Sequence, residues 1–118
     1  MPEKKLILIV DDDKAILDIL RIKLGISGYD VVTVSNGKEA ISLIGSVQPD
    51  IMLLDVLMPG IDGFEVLKRL RKFSALPVIV ISARYENAIE ATKLGASDFI
   101  VKPFDFEKML KTIERLIG

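Results

Sequence analysis

Residues 50–63 of this chain are DIMLLDVLMPGIDG, and this stretch decides the fold. Four apolar residues, 51–54, end at an acid, Asp55, and Pro59 and two glycines follow it. A short apolar run bounded by turn residues is typical of a buried strand with a loop at its carboxyl end. A carboxylate at the lip of a core costs free energy unless something pairs with it or uses it. The sequence therefore predicts that Asp55 has a function.

The composition predicts one globular domain over residues 1–118, without an output domain. Of the 118 residues, 50% are hydrophobic and 28% are charged, and the net charge is −1. This charge gives no bulk attraction for nucleic acid or an anionic membrane, so we expect neither as a direct partner. There is no cysteine or histidine, which excludes disulfides, thiolate metal sites and Ser-His triads. The apolar run at residues 6–10 is too short for a signal peptide or a membrane span, so we expect a cytoplasmic protein.

Strand patterns and helix patterns alternate along the chain. Apolar and β-branched runs predict five strands, at residues 6–10, 31–34, 51–54, 78–81 and 99–101. An amphipathic helix pattern follows each strand, the fourth over about residues 86–94. Candidate helix caps are Asp13, Asn36, Asp62 and Asp105. Strict alternation predicts an α/β fold: a doubly wound, flavodoxin-like parallel sheet in the order 2-1-3-4-5 with five helices.

Polar groups end four of the five predicted strands: Asp11 and Asp12, then Asp55, Ser82 and Lys102. Parallel strands share one carboxyl edge, so these groups are expected to converge. Carboxylates about 5 Å apart on neighbouring strands repel by about 3 kcal/mol at an effective dielectric near 20, and a divalent cation relieves this repulsion. Oxygen ligands alone predict Mg²⁺, or Mn²⁺, rather than zinc. With a lysine and a hydroxyl nearby, the groups suit a receptor for a phosphoryl group, with a carboxylate as nucleophile.

Four motifs together resemble the receiver domain of two-component response regulators. They are Val10-Asp11-Asp12, residues 55–63, Ser82-Ala83 and Lys102-Pro103-Phe104, and the resemblance covers essentially the whole chain. It implies that Asp55 accepts a phosphoryl group from a sensor histidine kinase. It also implies that the domain catalyses only its own phosphorylation and dephosphorylation and is not otherwise an enzyme.

The resemblance also assigns roles around Asp55. It implies that Asp12, Asp55 and the backbone carbonyl of Leu57 bind Mg²⁺ directly, and that Asp11 binds it through a water molecule. It further implies that Lys102 pairs with the phosphoryl group, that Ser82 moves to meet it, and that Phe99 is an aromatic switch coupled to Ser82. The Lys102–Pro103 peptide bond is expected to be cis.

The output implied by the resemblance is a change in the surface of the fourth helix, fifth strand and fifth helix. The partner would be a downstream protein target or a phosphotransfer protein, and phosphorylation could produce a dimer. Two features depart from the family pattern. Ser82 and Lys102 are 20 residues apart, about two fewer than is common, which puts the loop at residues 84–87 and the fourth helix in doubt. Phe99 replaces a frequent tyrosine, so it has no hydroxyl with which to report its rotamer.

Two alternatives remain open on the sequence alone. A small Mg²⁺-dependent phosphohydrolase of the haloacid-dehalogenase type would use an acid at the end of the first strand, and Asp11 and Asp13 have its Asp-x-Asp spacing. In that case Asp55 would have no role. The second alternative is an interaction module that keeps the fold but is not phosphorylated.

Overall fold

The computed structural model describes residues 4–118, in which five strands and five helices alternate strictly. Their bounds are β1 Leu6–Val10, α1 Lys14–Ile26, β2 Asp30–Val34, α2 Gly37–Val47, β3 Ile51–Asp55, α3 Gly63–Leu70, β4 Val78–Ser82, α4 Asn87–Lys93, β5 Asp98–Val101 and α5 Phe106–Ile117. The predicted alternation is confirmed, and the predicted bounds of the five strands and the fourth helix differ from the observed ones by no more than one residue at any end. Residues 1–3, which the predicted domain includes, lie outside the described part.

The strands are parallel and lie in the order β2-β1-β3-β4-β5. This confirms the predicted doubly wound, flavodoxin-like architecture. The register pairs Asp55 with Ile81 on β4, and Ser82 with Val101 on β5. Asp55 and Ser82 therefore lie at the same edge of the sheet, one residue apart in height.

Each face of the sheet carries its own apolar core, because successive side chains of a strand point to opposite faces. On β3, Ile51 and Leu53 pack with residues of α1 and α5 on what we call the α1/α5 face. Met52 and Leu54 pack with residues of α2, α3 and α4 on the α2–α4 face. Strands β1 and β3, predicted to be buried on both faces, are central in the sheet and almost wholly buried.

Side chains cap four of the five helices. The predicted caps are confirmed: each carboxylate or amide oxygen accepts a hydrogen bond from a backbone N–H of its own first turn, at Asp13, Asn36, Asp62 and Asp105. Helix α4 differs, because Glu86 precedes it with helical backbone angles and no side chain among the described residues caps it. Of the seven residues of α4, only Ala91 is buried. The sequence-based doubt about the fourth helix thus corresponds to a short, uncapped and shallowly packed helix.

Gly63 allows α3 to begin directly against the end of β3. Its N–H donates to the carbonyl oxygen of Val56 at 2.9 Å. A Cβ atom at this position would lie 2.2 Å from the carbonyl oxygen of Asp55 and 2.8 Å from the Cα of Val56. Both obstacles are backbone atoms, so a side chain here has to displace the segment that carries Asp55.

We expect Gly63→Ala to lower the free energy of unfolding by about 2 kcal/mol or more, because it overpacks a backbone contact. Gly45→Ala is the matched control, since no described atom lies within 4 Å of the Cβ it would add and the residue is exposed on α2. The control should raise stability by up to about 1 kcal/mol through helix propensity. Urea unfolding measures both, and equal effects of the two substitutions would contradict the contact.

Candidate functional site

Two acids and a lysine meet at the carboxyl edge of the sheet. The Lys102 Nζ atom lies 3.0 Å from Asp11 Oδ2 and 3.3 Å from Asp55 Oδ1. Asp11 follows β1, Asp55 ends β3 and Lys102 follows β5, so three strands supply the three charges. Asp11 is 2% exposed and Asp55 is 5% exposed. The predicted convergence of polar strand ends is therefore observed for these three residues.

A third carboxylate, that of Asp12, completes an acidic cluster. One oxygen from each of Asp11, Asp12 and Asp55 lies within 4.8 Å of the others, and Asp12 is the exposed member. Carboxylates this close to one another repel strongly where bulk water does not screen their charges. Lys102 supplies one positive charge against three negative ones, so the cluster retains a negative charge when all its members are ionised.

Burial raises the pKa of Asp55 from 3.8 to about 6, and the negative charge of Asp11 adds to this rise, while Lys102 opposes it. For Lys102, burial alone would lower the pKa. The hydrogen bond and charge of Asp11, together with those of Asp55, outweigh burial and raise the pKa of Lys102. The lysine is therefore a cation at neutral pH, and the Asp55 carboxylate is held in its charged form at a free-energy cost.

The start of α1 fixes the orientation of Asp11. Its Oδ1 accepts a hydrogen bond from the Asp13 N–H at 2.9 Å, while its Oδ2 bonds Lys102. Asp13 in turn caps α1 through the N–H of Ala15 at 2.9 Å. Both oxygens of Asp11 are thus engaged, whereas Asp12 extends toward solvent.

Leu57 and Phe99, two further residues named from the sequence, occupy different parts of the fold. Leu57 follows Asp55 by two residues in the loop before α3, and its side chain is 61% exposed. Phe99 pairs with Val80 in the sheet and is partly buried against the core of the α2–α4 face. The peptide bond between Lys102 and Pro103 is cis, as predicted.

Ser82 reaches the same edge but points to the other face. Ile79 and Ile81 of β4 pack on the α1/α5 face, whereas Val78 and Val80 pack on the α2–α4 face. Because side chains alternate along a strand, Ser82 points to the α2–α4 face, as Val78 and Val80 do. Asp55 points to the α1/α5 face, as Ile51 and Leu53 do on β3. Within residues 4–118, the Ser82 hydroxyl forms no hydrogen bond with Asp55 or Lys102.

The contacts of Ser82 include a residue that sequence reasoning missed. The hydroxyl oxygen accepts one hydrogen bond from the Arg84 N–H at 3.0 Å and another from the Asn87 Nδ2 at 2.9 Å. Asn87 is the first residue of α4. The sequence did contain a signal for this contact. Asn87 lies five residues after Ser82, and the loop between them is short enough to bring the amide to the hydroxyl.

The donor set of the acidic cluster fits a magnesium ion. All three groups are carboxylates, and one of them, Asp12, is exposed and so accessible from solvent. The positive charge of Lys102 is too small to balance the negative charge of the cluster. Mg²⁺ prefers oxygen ligands and keeps several of its waters, which suits a site open on one side. The cluster thus agrees with the metal predicted from the sequence.

The acidic cluster and the lysine, at the carboxyl edge of a five-stranded doubly wound sheet, agree with the resemblance to receiver domains that the sequence motifs indicate. The family model described as "Response regulator receiver domain" matches residues 7–114. The chain belongs to this family. The haloacid-dehalogenase alternative is therefore not supported.

Individual relatives agree with this assignment. The chain is 40% identical over 114 residues to the response regulator MprA of Mycolicibacterium vanbaalenii, covering 94% of this chain and 49% of that protein. Among solved structures, the receiver domain of the Francisella response regulator 1452 is 36% identical with a TM-score of 0.91, covering 97% of each chain. The chemotaxis protein CheY4 of Vibrio cholerae is 32% identical with a TM-score of 0.88, covering 97% of this chain and 99% of that one.

The chain spans about half the length of the curated relatives it matches. The likeness therefore concerns the receiver portion of those proteins. Among the described residues, no helix is long and apolar enough to cross a membrane.

We expect Asp55→Asn to stabilise the protein in a chelator at neutral pH. A pKa raised from 3.8 to about 6 means that folding favours the protonated carboxyl. This contribution is fully present below about pH 4 and is lost as the pH rises through about 6. The amide removes the charge, so the free energy of unfolding should rise by about 1 to 3 kcal/mol at pH 7.5 and change little at pH 4.

Urea unfolding at the two pH values measures this difference. Asp62→Asn is the matched control, because it replaces one exposed helix cap with another of similar strength and should not raise the free energy of unfolding at pH 7.5. A gain for Asp55→Asn that is the same at both pH values would contradict the assigned cost.

Proposed function

We propose that this domain is a phosphoacceptor switch, in which Asp55 takes a phosphoryl group from the phosphohistidine of a sensor histidine kinase. The observation that carries the proposal is the Lys102 ammonium, which lies within hydrogen-bonding distance of both Asp11 and Asp55. A lysine placed there offsets part of the negative charge of the resting carboxylates and is already beside the position that phosphoryl oxygens would occupy. The family membership supports the same assignment.

The transfer needs no other nucleophile. An Asp55 carboxylate oxygen attacks phosphorus, a P–O bond forms, and the P–N bond to the histidine breaks. The imidazole leaves with the bonding electron pair and takes a proton, and Asp55 carries an acyl phosphate. Water later attacks this phosphorus, which releases inorganic phosphate and restores the carboxylate. We propose that both steps are self-catalysed and that the domain has no other enzymatic activity.

Asp12, Asp55 and the Leu57 carbonyl are the groups that would hold Mg²⁺ directly, with Asp11 acting through a water. The engagement of both Asp11 oxygens, with Asp13 and Lys102, supports an indirect role for that residue. When bound, Mg²⁺ supplies positive charge that lowers the repulsion between these carboxylates and the oxygens of the phosphoryl donor. Mn²⁺ has the same ligand preferences and would substitute for it.

Ser82 and Phe99 are the proposed readout. Both belong to the α2–α4 face, and Phe99 pairs with Val80, two residues before Ser82. If the hydroxyl leaves this face to donate to a phosphoryl oxygen, it vacates space toward which the partly buried ring of Phe99 can turn. The ring has no hydroxyl, so its position would be sensed through packing alone.

The surface around α4, β5 and α5 is the proposed output surface. It carries large exposed apolar side chains, with Tyr85 74% exposed, Ile89 67% and Val101 39%. Where such side chains form a continuous patch, they mark an interaction site. The partner we propose is a downstream protein target, a phosphotransfer protein or a second phosphorylated copy of this chain. We propose that the interaction takes place in the cytoplasm and that the domain contacts neither nucleic acid nor membrane directly.

Incubation with Mg²⁺ and acetyl phosphate tests the phosphoacceptor. Intact mass should show a gain of one phosphoryl group, and hydroxylamine should release it, because an acyl phosphate reacts with this nucleophile and a serine phosphate does not. Asp55→Asn should gain none. Modification that persists in Asp55→Asn, or that resists hydroxylamine, would overturn the assignment, and no gain in the wild type would favour a non-phosphorylated interaction module.

We expect Asp12→Asn to weaken Mg²⁺ binding more than tenfold, since it removes a charged ligand of the cluster. Asp13→Asn is the matched control: the residue is adjacent and also exposed, but its carboxylate caps α1, a role that asparagine fills well. The control should change the affinity by less than about threefold, through screened charge alone. Calorimetric titration measures both, and equal losses would contradict the ligand assignment.

A further inference from the structure

We propose that Asn87 is a positioning residue that holds Ser82 away from Asp55 in the resting protein and ties Ser82 to the first turn of α4. The inference rests on the proposed function and concerns how the same site is regulated. It begins from the contact of 2.9 Å between the Asn87 amide and the Ser82 hydroxyl oxygen.

The hydroxyl of Ser82 has its acceptor capacity filled. A serine oxygen has two lone pairs and one hydrogen. The Arg84 N–H and the Asn87 amide occupy the two lone pairs, at 3.0 and 2.9 Å. Ser82 is 1% exposed, so water does not compete freely for these positions. The two bonds therefore set the rotamer in which the hydroxyl rests.

This resting rotamer faces away from the phosphoacceptor. Ser82 leaves β4 on the α2–α4 face, where Val78 and Val80 pack. Asp55 leaves β3 on the α1/α5 face, after Ile51 and Leu53. To donate to a phosphoryl oxygen on Asp55, the hydroxyl has to turn over the edge of the sheet, and this turn breaks the bond to Asn87.

The same bond fastens one end of α4. The carboxyl-terminal end of the helix is held independently, because the Arg71 guanidinium donates to the carbonyl oxygen of Gly95 from Nε at 3.0 Å and from Nη2 at 2.9 Å. Buried Ala91 adds to this anchor. At the amino-terminal end, no side chain of the described residues caps the helix. Backbone hydrogen bonds from the N–H groups of Asn87 and Ala88 to the carbonyl oxygens of Arg84 and Tyr85 remain at this end. Loss of the side-chain bond between Asn87 and Ser82 therefore loosens the first turn of α4 while its last turn stays in place.

Hydrogen exchange of the unphosphorylated, metal-free protein tests the tie to α4. Asn87→Ala removes this bond and should raise exchange at amides 88–91 about fivefold, the effect of one hydrogen bond. Ser82→Ala removes it together with the bond from the Arg84 N–H, so its effect should be at least as large. The double variant should exchange no faster than Ser82→Ala alone. Unchanged exchange, or additive effects in the double variant, would overturn the tie.

Binding of beryllium fluoride with Mg²⁺ tests the hold on Ser82, because this anion coordinates a carboxylate in the shape of a phosphoryl group. Asn87→Ala should bind it about fivefold more tightly than the wild type, since the competing bond is gone. Ser82→Ala should bind it more weakly, and adding Asn87→Ala to that variant should change nothing. Weaker or equal binding by Asn87→Ala, or an effect that persists without Ser82, would overturn the proposal.

Thr92→Ala is the matched control within the same helix. It removes a side-chain hydrogen bond of α4, from Thr92 Oγ1 to the carbonyl oxygen of Ala88 at 2.8 Å, without contacting Ser82. It should leave the affinity for beryllium fluoride unchanged, and a gain equal to that of Asn87→Ala would show a general loosening of α4 and overturn the specific role. If the wild type bound no beryllium fluoride, the proposed function would fall, and hydrogen exchange would still decide whether Asn87 holds α4 through Ser82.

Discussion

The crowding of two buried carboxylates against one lysine ammonium is the constraint on which the site depends. Asp11 and Asp55 are almost wholly buried on neighbouring strands, and neither charge is stable there alone. Lys102 comes from the far edge of the sheet to bond both. Because the three groups arrive from β1, β3 and β5, any change in strand order or register would leave a buried charge without its partner. The electrostatics of the site therefore depend on the topology of the sheet.

Much of the fold could be predicted from the sequence because the signals are local and repeated. Apolar runs such as residues 51–54 mark buried strands, and the cap at Asp62 fixes where a helix begins. The acids and the lysine of the site were also predictable, since parallel strands bring their carboxyl ends together wherever the chain turns. The contact of Lys102 with both acids in the resting state could not be predicted, because a long side chain has many rotamers.

The position of Ser82 shows why the rest of the site could not be predicted. The sequence places this residue at the correct edge of the sheet. The face to which its side chain points depends on the register of β4, and the sequence pattern leaves the end of this strand uncertain by one residue. Its partner Asn87 lies beyond a loop whose length departs from the common family pattern. The turn geometry of residues 83–86 decides whether the Asn87 amide contacts the Ser82 hydroxyl, and no local propensity predicts this contact.

The division of the sheet into two separately packed faces has a consequence for how the domain can evolve. By strand alternation the Asp55 carboxylate continues the α1/α5 face and Ser82 continues the α2–α4 face, and both residues lie at the carboxyl edge of the sheet. In the proposed switch, coupling between the two residues runs along this rim and reaches the core of the α2–α4 face at Phe99. Substitutions deep in either core and away from Phe99 are therefore expected to change stability more than this coupling, and substitutions at the rim to change the coupling more than stability.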